Sequence, residues 1–490
     1  MGIPADDPST SDGAPSYAEL LDEVVTLRAM VVEQAKLIER LTTEMAELRA
    51  RVSMNSRNSS KPPSSDGYAK PAPKSRRVRS GKKPGKQPGD PGHHLAQRTD
   101  PDATEVHAPD ACQRCGHDLS DAPVTSVVTR QVFDLPPMAL RCTEHQAERR
   151  RCACGTETTG SFPAFATAPA CYGPALRAYV CYLVTRQHLP VARVAELLAD
   201  TYGATVSTGV IVAMVHEGAG MLEEFCAQVR GLLRGSSVVH VDETGLRVDA
   251  LLAWVHAAST TDLTLYHLDR RRGTDGTDAM GVVRYLKGVL VHDGWRAYRN
   301  YANVTHALCN AHHLRELEAV GATDGQGWAT DLAHLLTTTW GLVLDARDNG
   351  VGALGTDELS RIRDEYRRIM IAGHRANPPP PTPAGSRRQP KRTTALNLLL
   401  RLDRHTNDVL RFATDFSVPF DNNLSERDVR MVKIAQKISG GFRSTEGAEA
   451  FLAFRSYLST AAKQGVNRLG ALQQLFDGSP WLPFQPAIGT

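Results

Sequence analysis

Asp242 and Asp293 occupy positions from which a chain could gather hard cations. Asp242 closes the run Ser237-Val-Val-His-Val-Asp242 and Asp293 closes Gly288-Val-Leu-Val-His-Asp293, so each carboxylate ends a short apolar segment and precedes a turn. Carboxylates at neighbouring strand ends, joined by a third from a helix, can hold divalent cations through oxygen ligands. Two magnesium ions about 4 Å apart can activate a nucleophilic oxygen and stabilise the leaving oxygen as a phosphodiester is cut. Glu426 is the candidate third ligand. It lies in a helix opened by Asp421-Asn-Asn-Leu-Ser-Glu426, with polar capping residues ahead of it. Arg430, Lys433 and Lys437 follow at steps of four, three and four on Glu426's face, a basic stripe suited to a phosphate backbone. Singly, each acid has an ordinary reading: Asp242 as a turn residue, Glu426 as the partner of Arg430. The combination in strand–strand–helix order carries the assignment. Glu243 would point to the opposite face if the strand continues, which makes it the weaker ligand candidate.

The nine cysteines are odd in number and partly clustered, which suits a reducing compartment and a metal site better than a disulfide scaffold. Cys112-Gln-Arg-Cys115 and Cys152-Ala-Cys154 resemble the two close pairs of a zinc ribbon holding one structural ion, each on a tight turn. C-x-C is tighter than the usual second pair, and Cys142-Thr-Glu-His145 offers an alternative; reduced structural cysteines are the plainer reading. Cys309-Asn-Ala-His312 is a further C-x2-H pair directly after a strand. It could bind a metal or organise the edge of the site, and a buried Cys with a hydrogen-bonded His fits equally well. His313 leaves open which histidine is used.

The elements that must position these residues follow from periodicity. Ser237–Asp242 with Leu246–Val248, then Leu251–Ala258 and Leu263–Leu268, predict three sequential antiparallel strands. A helical stretch at Asp278–Leu286, the strand ending at Asp293, a short helix at Trp295–Tyr301 and a strand at Thr305–Cys309 come next. That is the order of an RNase H-like α/β core. Residues 314–415 read as a helical insertion, interrupted by Asn377-Pro-Pro-Pro-Pro-Thr-Pro383, since consecutive prolines cannot lie inside a helix. Ahead of the strands, Ala175–Thr185, Val191–Tyr202 and Thr208–His216 read as helices. Gly203 ends the second and Ser207 caps the third, in an arrangement compatible with a helix-turn-helix or with a plain helical connector.

The first fifty residues carry a sustained heptad pattern. Val24, Val31, Ile38, Met45 and Val52 recur every seven residues, as do Leu20, Leu27, Gln34, Leu41 and Leu48. Mainly β-branched residues at a and Leu at d, with Gln34 the one polar d residue, favour a parallel dimer; the stripe is acidic and without an evident cap, and an amphipathic helix packed on its own domain is the plainer reading. Beyond it, the stretch from Lys70 to Lys86, which includes Lys82 and Lys83, contains eight Lys/Arg and no acid. This Gly/Pro-rich tract cannot bury enough apolar surface to fold alone and reads as an extended tether, either an arm on nucleic-acid phosphates or a solvated linker. These two segments hide behind a formal net charge of only +3 over 490 residues. With 41% hydrophobic and 23% charged residues the chain can bury a core, which excludes a wholly disordered protein. No apolar stretch approaches the about 20 residues of a membrane helix. Asp6, Asp7 and Asp12 stand where a secretory signal would be basic and apolar, so a cytoplasmic protein is expected.

The sequence is similar to the DDE transposases of the IS-sixty-six insertion-sequence type, the large TnpC-like protein, from the zipper to about residue 470. The resemblance rests on Asn58-Ser-Ser-Lys-Pro-Pro-Ser-Ser-Asp66, the Cys112/Cys115 and Cys152/Cys154 pairs and Val241-Asp-Glu-Thr-Gly245. His292-Asp-Gly-Trp-Arg-Ala-Tyr298, Cys309-Asn-Ala-His312, Asp421–Arg427 and Lys437-Ile-Ser-Gly-Gly-Phe-Arg-Ser444 also carry it. It implies a multidomain α/β chain: a coiled coil at 17–54, a basic linker at 55–100, a zinc-ribbon-like module at 105–165 and a helical DNA-binding region at 170–232. An RNase H-like core at 236–313 and 416–476 would enclose the helical insertion at 314–415. Asp242, Asp293 and Glu426 would be the catalytic acids, holding two magnesium or manganese ions. The implied reaction is cleavage of element ends in double-stranded DNA, then attack of the freed 3′-hydroxyl on target DNA. A homodimer or higher oligomer, accessory element-encoded proteins and a place on the bacterial nucleoid would go with it. A nuclease without strand transfer and a non-catalytic DNA-binding regulator remain the alternatives.

Overall fold

The computed structural model describes residues 16–53, 95–136, 138–381 and 390–483. The basic tract with Lys82 and Lys83, and the Asn58–Asp66 motif before it, lie outside the described residues.

The heptad segment forms one 37-residue helix, α1 (Tyr17–Ser53). Its start is capped after all: Glu19 N–H donates to Ser16 Oγ at 3.3 Å, and Ser16 N–H donates back to Glu19 Oε2 at 2.8 Å. This is a capping box, a signal separate from the heptad periodicity. Leu20, Leu27, Val31, Ile38 and Leu48 are all about half exposed or more, so the apolar stripe faces away from the rest of the chain.

The cysteine-containing segment has little regular structure beyond the hairpin of β1 (Arg149–Arg151) and β2 (Glu157–Thr159). Four helices follow: α2 (Pro174–Cys181), α3 (Val191–Tyr202), α4 (Thr208–Gly220) and α5 (Glu223–Arg234). The punctuation is as the sequence predicts. Gly203 takes a left-handed φ of 63° at the end of α3, and Ser207 accepts from Val210 N–H at the start of α4.

The sheet comprises β3 (Val238–Val248), β4 (Leu251–Ser259), β5 (Thr264–Asp269), β6 (Val289–His292) and β7 (Thr305–Leu308), in the spatial order β5-β4-β3-β6-β7. β3, β4 and β5 form an antiparallel meander, and β6 and β7 run parallel to β3. Asp249 and Ala250, both at positive φ, make the two-residue turn between β3 and β4. The expected helix at 278–286 is instead α6 (Thr274–Met280) followed by a single 3-10 turn, because Gly281 at φ 73° stops it.

Beyond the sheet, α7 (Asn310–Asp324), α8 (Gly327–Asp348), α9 (Thr356–Ala376), α10 (Thr394–Arg404), α11 (Thr406–Val409) and α12 (Arg411–Thr414) pack around a core of their own. The chain then returns through α13 (Asn423–Ser439), α14 (Thr445–Lys463) and α15 (Arg468–Phe476). Alternation along the strands gives the sheet two covered faces. Val239 and Val241 join a core built with α2–α5, α14 and α15, while Leu246, Val248, Val255 and Ala257 pack against Val429, Val432 and Ala435 of α13. The helices of 170–232 therefore share one hydrophobic core with the sheet and do not stand apart as a separate unit. α4 packs on α14 so closely that a Cβ at Gly218 would come within 2.7 Å of the rings of Phe454 and Phe476.

Candidate metal and nucleic-acid site

β3 and β6 lie side by side with His240 opposite Val291, and the next alternate residues are Asp242 and Asp293. The sequence places Asp242 at a strand end, but β3 runs on to Val248. The antiparallel ladder with β4, which sets Asp242 opposite Ala257, carries the strand onward after β6 has stopped. What ends near Asp242 is the parallel pairing, and the gap it leaves gives the two carboxylates room. Asp242 Oδ1 accepts from Glu243 N–H at 2.9 Å and Asp293 Oδ1 from Trp295 N–H at 2.8 Å, the latter closing a turn through Gly294 at φ 94°.

Glu426 reaches the site from the first turn of α13, and a residue that sequence reasoning missed sets its position. Asn422 is 1% exposed. Its Nδ2 donates to the Val241 carbonyl at 2.9 Å, its Oδ1 meets His240 Nδ1 at 2.8 Å, and its backbone N–H donates to Cys309 Sγ at 3.1 Å. Its carbonyl accepts the first helical bond, from Glu426 N–H. One buried side chain thus ties the strand of Asp242 to the helix of Glu426. The run Asp421-Asn-Asn reads as helix capping, but the Asn422 side chain spans to the sheet instead of capping the helix.

The three acids feel one another. Burial, then Glu243, Asp293 and Glu426, push Asp242 well above the carboxylate range. Burial, then Glu243, push Asp293 up to about 6. Glu426 is raised by burial and by Asp421 and Asp293, against the opposing charge of Arg315. Glu243 is committed elsewhere: Arg272 Nη2 pairs with it at 2.8 Å and Tyr298 Oη donates to it at 2.6 Å. Arg272 also lies 4.6 Å from the ring centres of both Trp254 and Trp295. Even so paired, Glu243 is the leading neighbouring charge on both Asp242 and Asp293, so it lies close to the two carboxylates. Asp242, Asp293 and Glu426 do not bring three ligand oxygens within 4.8 Å of one another; as an all-oxygen donor set they are of the type that takes magnesium or manganese, whose charge would offset their repulsion.

Cys309 caps α7 and His312 lies three residues on, so both side chains face α13. The ligand atoms of Cys309, His312 and Glu426 lie within 4.8 Å of one another, the one such set of three among the described residues. His312 Nδ1 is 3.4 Å from Glu426 Oε1. His313 is buried and turned to Asn310 Oδ1 at 3.2 Å, so His312 is the histidine at the site.

The basic stripe is only partly as expected. Arg430 and Lys437 are exposed. Lys433 is half-buried, with burial lowering its pKa, and its Nζ donates to the Gly245 carbonyl. It clamps the helix to β3 and is not available as a free phosphate contact. On the other flank of α13, Asp428 accepts from Ser259 Oγ at 2.6 Å, Thr264 Oγ1 at 3.1 Å and Lys463 Nζ at 2.9 Å, a second buried clamp that periodicity does not reveal.

Each ribbon pair sits on its own tight turn. Gly116 N–H donates to the Cys112 carbonyl and Gly155 N–H to that of Cys152, both at 2.9 Å, with the two glycines at φ 76° and 90°. Backbone amides of Arg114 and Cys115 lower the Cys112 thiol, and Thr156 brings Cys154 down to about 7. Thiols eased towards thiolate at knuckle-like turns fit zinc. The four sulfurs do not, however, converge within 4.8 Å in any set of three. Of the alternative pair, Cys142 is exposed and His145 packs edge-on against Phe165. The solvent-facing residues of α4, the candidate recognition helix, include no Lys or Arg.

Residues 169–450, just over half of the chain, match the family described as "Transposase IS66 family". Residues 109–155 match "zinc-finger binding domain of transposase IS66", which supports a zinc ion, and residues 6–96 match a family of unknown function. The chain is 22% identical over 369 residues to an uncharacterized protein, y4jD, of Sinorhizobium fredii, covering 69% of each chain. Similarity to a solved chain of a simian T-cell lymphotropic virus intasome in complex with a PP2A regulatory subunit covers 45% of this chain and 74% of that one. The identity is 13% and the TM-score 0.15.

Proposed function

Because the chain belongs to the IS66 transposase family, we propose that it cuts phosphodiester bonds at the ends of an insertion sequence and joins the freed ends to target DNA. Asp242, Asp293 and Glu426 are the proposed catalytic acids on an RNase H-like core. The observation that carries this reading is the juxtaposition of Asp242 and Asp293 across adjacent parallel strands, with Glu426 held beside them through Asn422. The sheet order, three antiparallel strands followed by two parallel to the first, supports the fold reading.

The three carboxylates would hold two magnesium or manganese ions, which when bound supply an activated oxygen nucleophile and charge for the leaving oxygen. The chain's own contribution is placement. Asn422 fixes the helix against the strand, the Trp295 amide orients Asp293, and Arg272 and Tyr298 hold Glu243 in place beside them. Arg430 and Lys437 would hold phosphates along α13, and Lys82 and Lys83 would add contacts from the basic arm. Cys112, Cys115, Cys152 and Cys154 would hold the structural zinc. α1 would pair two protomers through its exposed stripe, which suits a reaction that joins two DNA ends. No helix among the described residues is long and apolar enough to cross a membrane; the bacterial nucleoid is the proposed place of action.

The test is a labelled, pre-cleaved element end incubated with a target plasmid and magnesium, using wild type and Asp242→Asn. Joined product that disappears in the variant while DNA binding persists supports the transposase. Cleavage without joining would make the protein a nuclease, and binding alone a regulator. Full activity of Asp242→Asn would remove the acidic set from the mechanism.

A further inference from the structure

We propose that Cys309 Sγ, His312 Nδ1 and one carboxylate oxygen of Glu426 form a binding site for a single zinc-type cation, separate in donor chemistry from the all-oxygen set. The three ligand atoms lie within 4.8 Å of one another. Zinc bonds of about 2.0–2.3 Å in a tetrahedron place ligand atoms roughly 3.3–3.8 Å apart. The 3.4 Å between His312 Nδ1 and Glu426 Oε1 falls in that range.

The second observation is that both facing atoms lack a hydrogen-bond partner. His312 Nδ1 and Glu426 Oε1 are each shut off from solvent, and neither makes a hydrogen bond, although they lie opposite each other. Buried polar atoms are seldom left so, and one cation between them would satisfy both. The third ligand is prepared in the way metal-bound sulfur commonly is. The Asn422 amide N–H points at Cys309 Sγ from 3.1 Å, an outer contact that stabilises negative charge on the sulfur. All three ligands stand on fixed elements: Cys309 and His312 on the first turn of α7, Glu426 on the first turn of α13.

The donor set selects the ion. Thiolate and imidazole suit zinc and its neighbours, whereas magnesium takes oxygen and keeps much of its water. Three protein ligands leave a fourth position for water or a substrate oxygen. Glu426 would then present Oε1 to zinc and retain Oε2 for its neighbouring carboxylates' ions, so that the zinc sets the rotation of the catalytic carboxylate. Only this last consequence rests on the catalytic reading of Glu426; the site itself does not.

The experiment measures metal per full-length chain by mass spectrometry, with cobalt(II) replacing zinc for spectroscopy. Wild type should hold two equivalents, one in the ribbon, and Cys309→Ser and His312→Gln should each lower the content by about half. Cys112→Ser/Cys115→Ser should lose the ribbon equivalent alone. With all four ribbon cysteines changed to Ser, a thiolate-to-cobalt charge-transfer band should persist, then vanish on adding Cys309→Ser. Wild-type metal content at one equivalent, lost entirely with the ribbon cysteines, would overturn the proposal, as would unchanged content in both Cys309→Ser and His312→Gln. Circular dichroism checks folding, and Glu426→Gln supplies a third variant should the other two unfold. Loss of strand cleavage in Asp242→Asn does not bear on this readout, so the two readings fail separately.

Discussion

Asp293→Asn should make the magnesium-free protein more stable while abolishing strand cleavage. Burial, followed by the charge of Glu243, takes Asp293 from an ordinary 3.8 up to about 6. A carboxyl raised in the folded state holds its proton more tightly there than in the unfolded chain. Its contribution to stability is therefore fully present below 3.8 and is lost as pH rises through about 6. Above that window the folded protein carries a crowded carboxylate at a cost of about 3 kcal/mol, at about 1.4 kcal/mol per pH unit. An asparagine of the same shape removes the charge, and its Oδ1 can still accept from Trp295 N–H. Partial solvent access at the strand ends brings the expected gain to about 1–3 kcal/mol, or roughly 2–10 °C in the melting midpoint. Thermal melts in magnesium-free buffer should show the variant ahead of wild type above about pH 7 and nearly level at about pH 4. Added magnesium should raise the wild-type midpoint and leave the variant's largely unmoved. A variant that melts below wild type at both pH values, or an advantage that does not shrink in acid, would refute the crowded-carboxylate account.

Three further outcomes follow from other contacts. Asn422→Ala removes the tie between β3 and α13; it should cost about 1–3 kcal/mol of stability and raise the magnesium needed for half-maximal cleavage about 10-fold or more, measured by metal titration of the cleavage rate. Arg430→Ala/Lys437→Ala should flatten the salt dependence of DNA binding by about 2 in log–log slope, whereas Lys433→Met should lower the melting point and leave that slope unchanged. Removal of residues 1–53 should yield monomers by light scattering if the stripe of α1 pairs chains, and an unchanged mass would remove the zipper from the account.

Periodicity made most of the architecture readable in the sequence. The strand meander, the strand of Asp293, the α3–α4 junction with Gly203 and Ser207, and the helical insertion all announce themselves through apolar spacing and turn chemistry. What escaped was set by contacts between residues far apart in the chain. Asn422 looks like a capping residue, and only the fold shows it reaching back to Val241. Lys433 shares helical spacing with Arg430 and Lys437, yet the approach of β3 converts it into a buried clamp. Helix and turn signals mark 170–232 as a region distinct from the strands that follow, but Val194, Phe225 and Leu233 meet Val241, Leu265 and Tyr457 in one core. The convergence of Cys309, His312 and Glu426 could be suspected from C-x2-H spacing after a strand, but the glutamate partner required the tertiary fold.

That shared core ties the fate of the chain to the completion of its synthesis. Helices α2–α5 leave the ribosome well before Phe454, Tyr457 and Leu472, the residues that cover them. At about 5–20 residues per second, an apolar surface between Ala178 and Leu233 waits roughly 10–50 seconds for its cover. A copy truncated between β7 and α14 would hold all of β3–β7 and still lack a closed interior, so it should aggregate or be degraded instead of surviving as a competent fragment. Shortened copies of the gene would then be silent through failure to fold, and full-length translation would itself act as a checkpoint on activity.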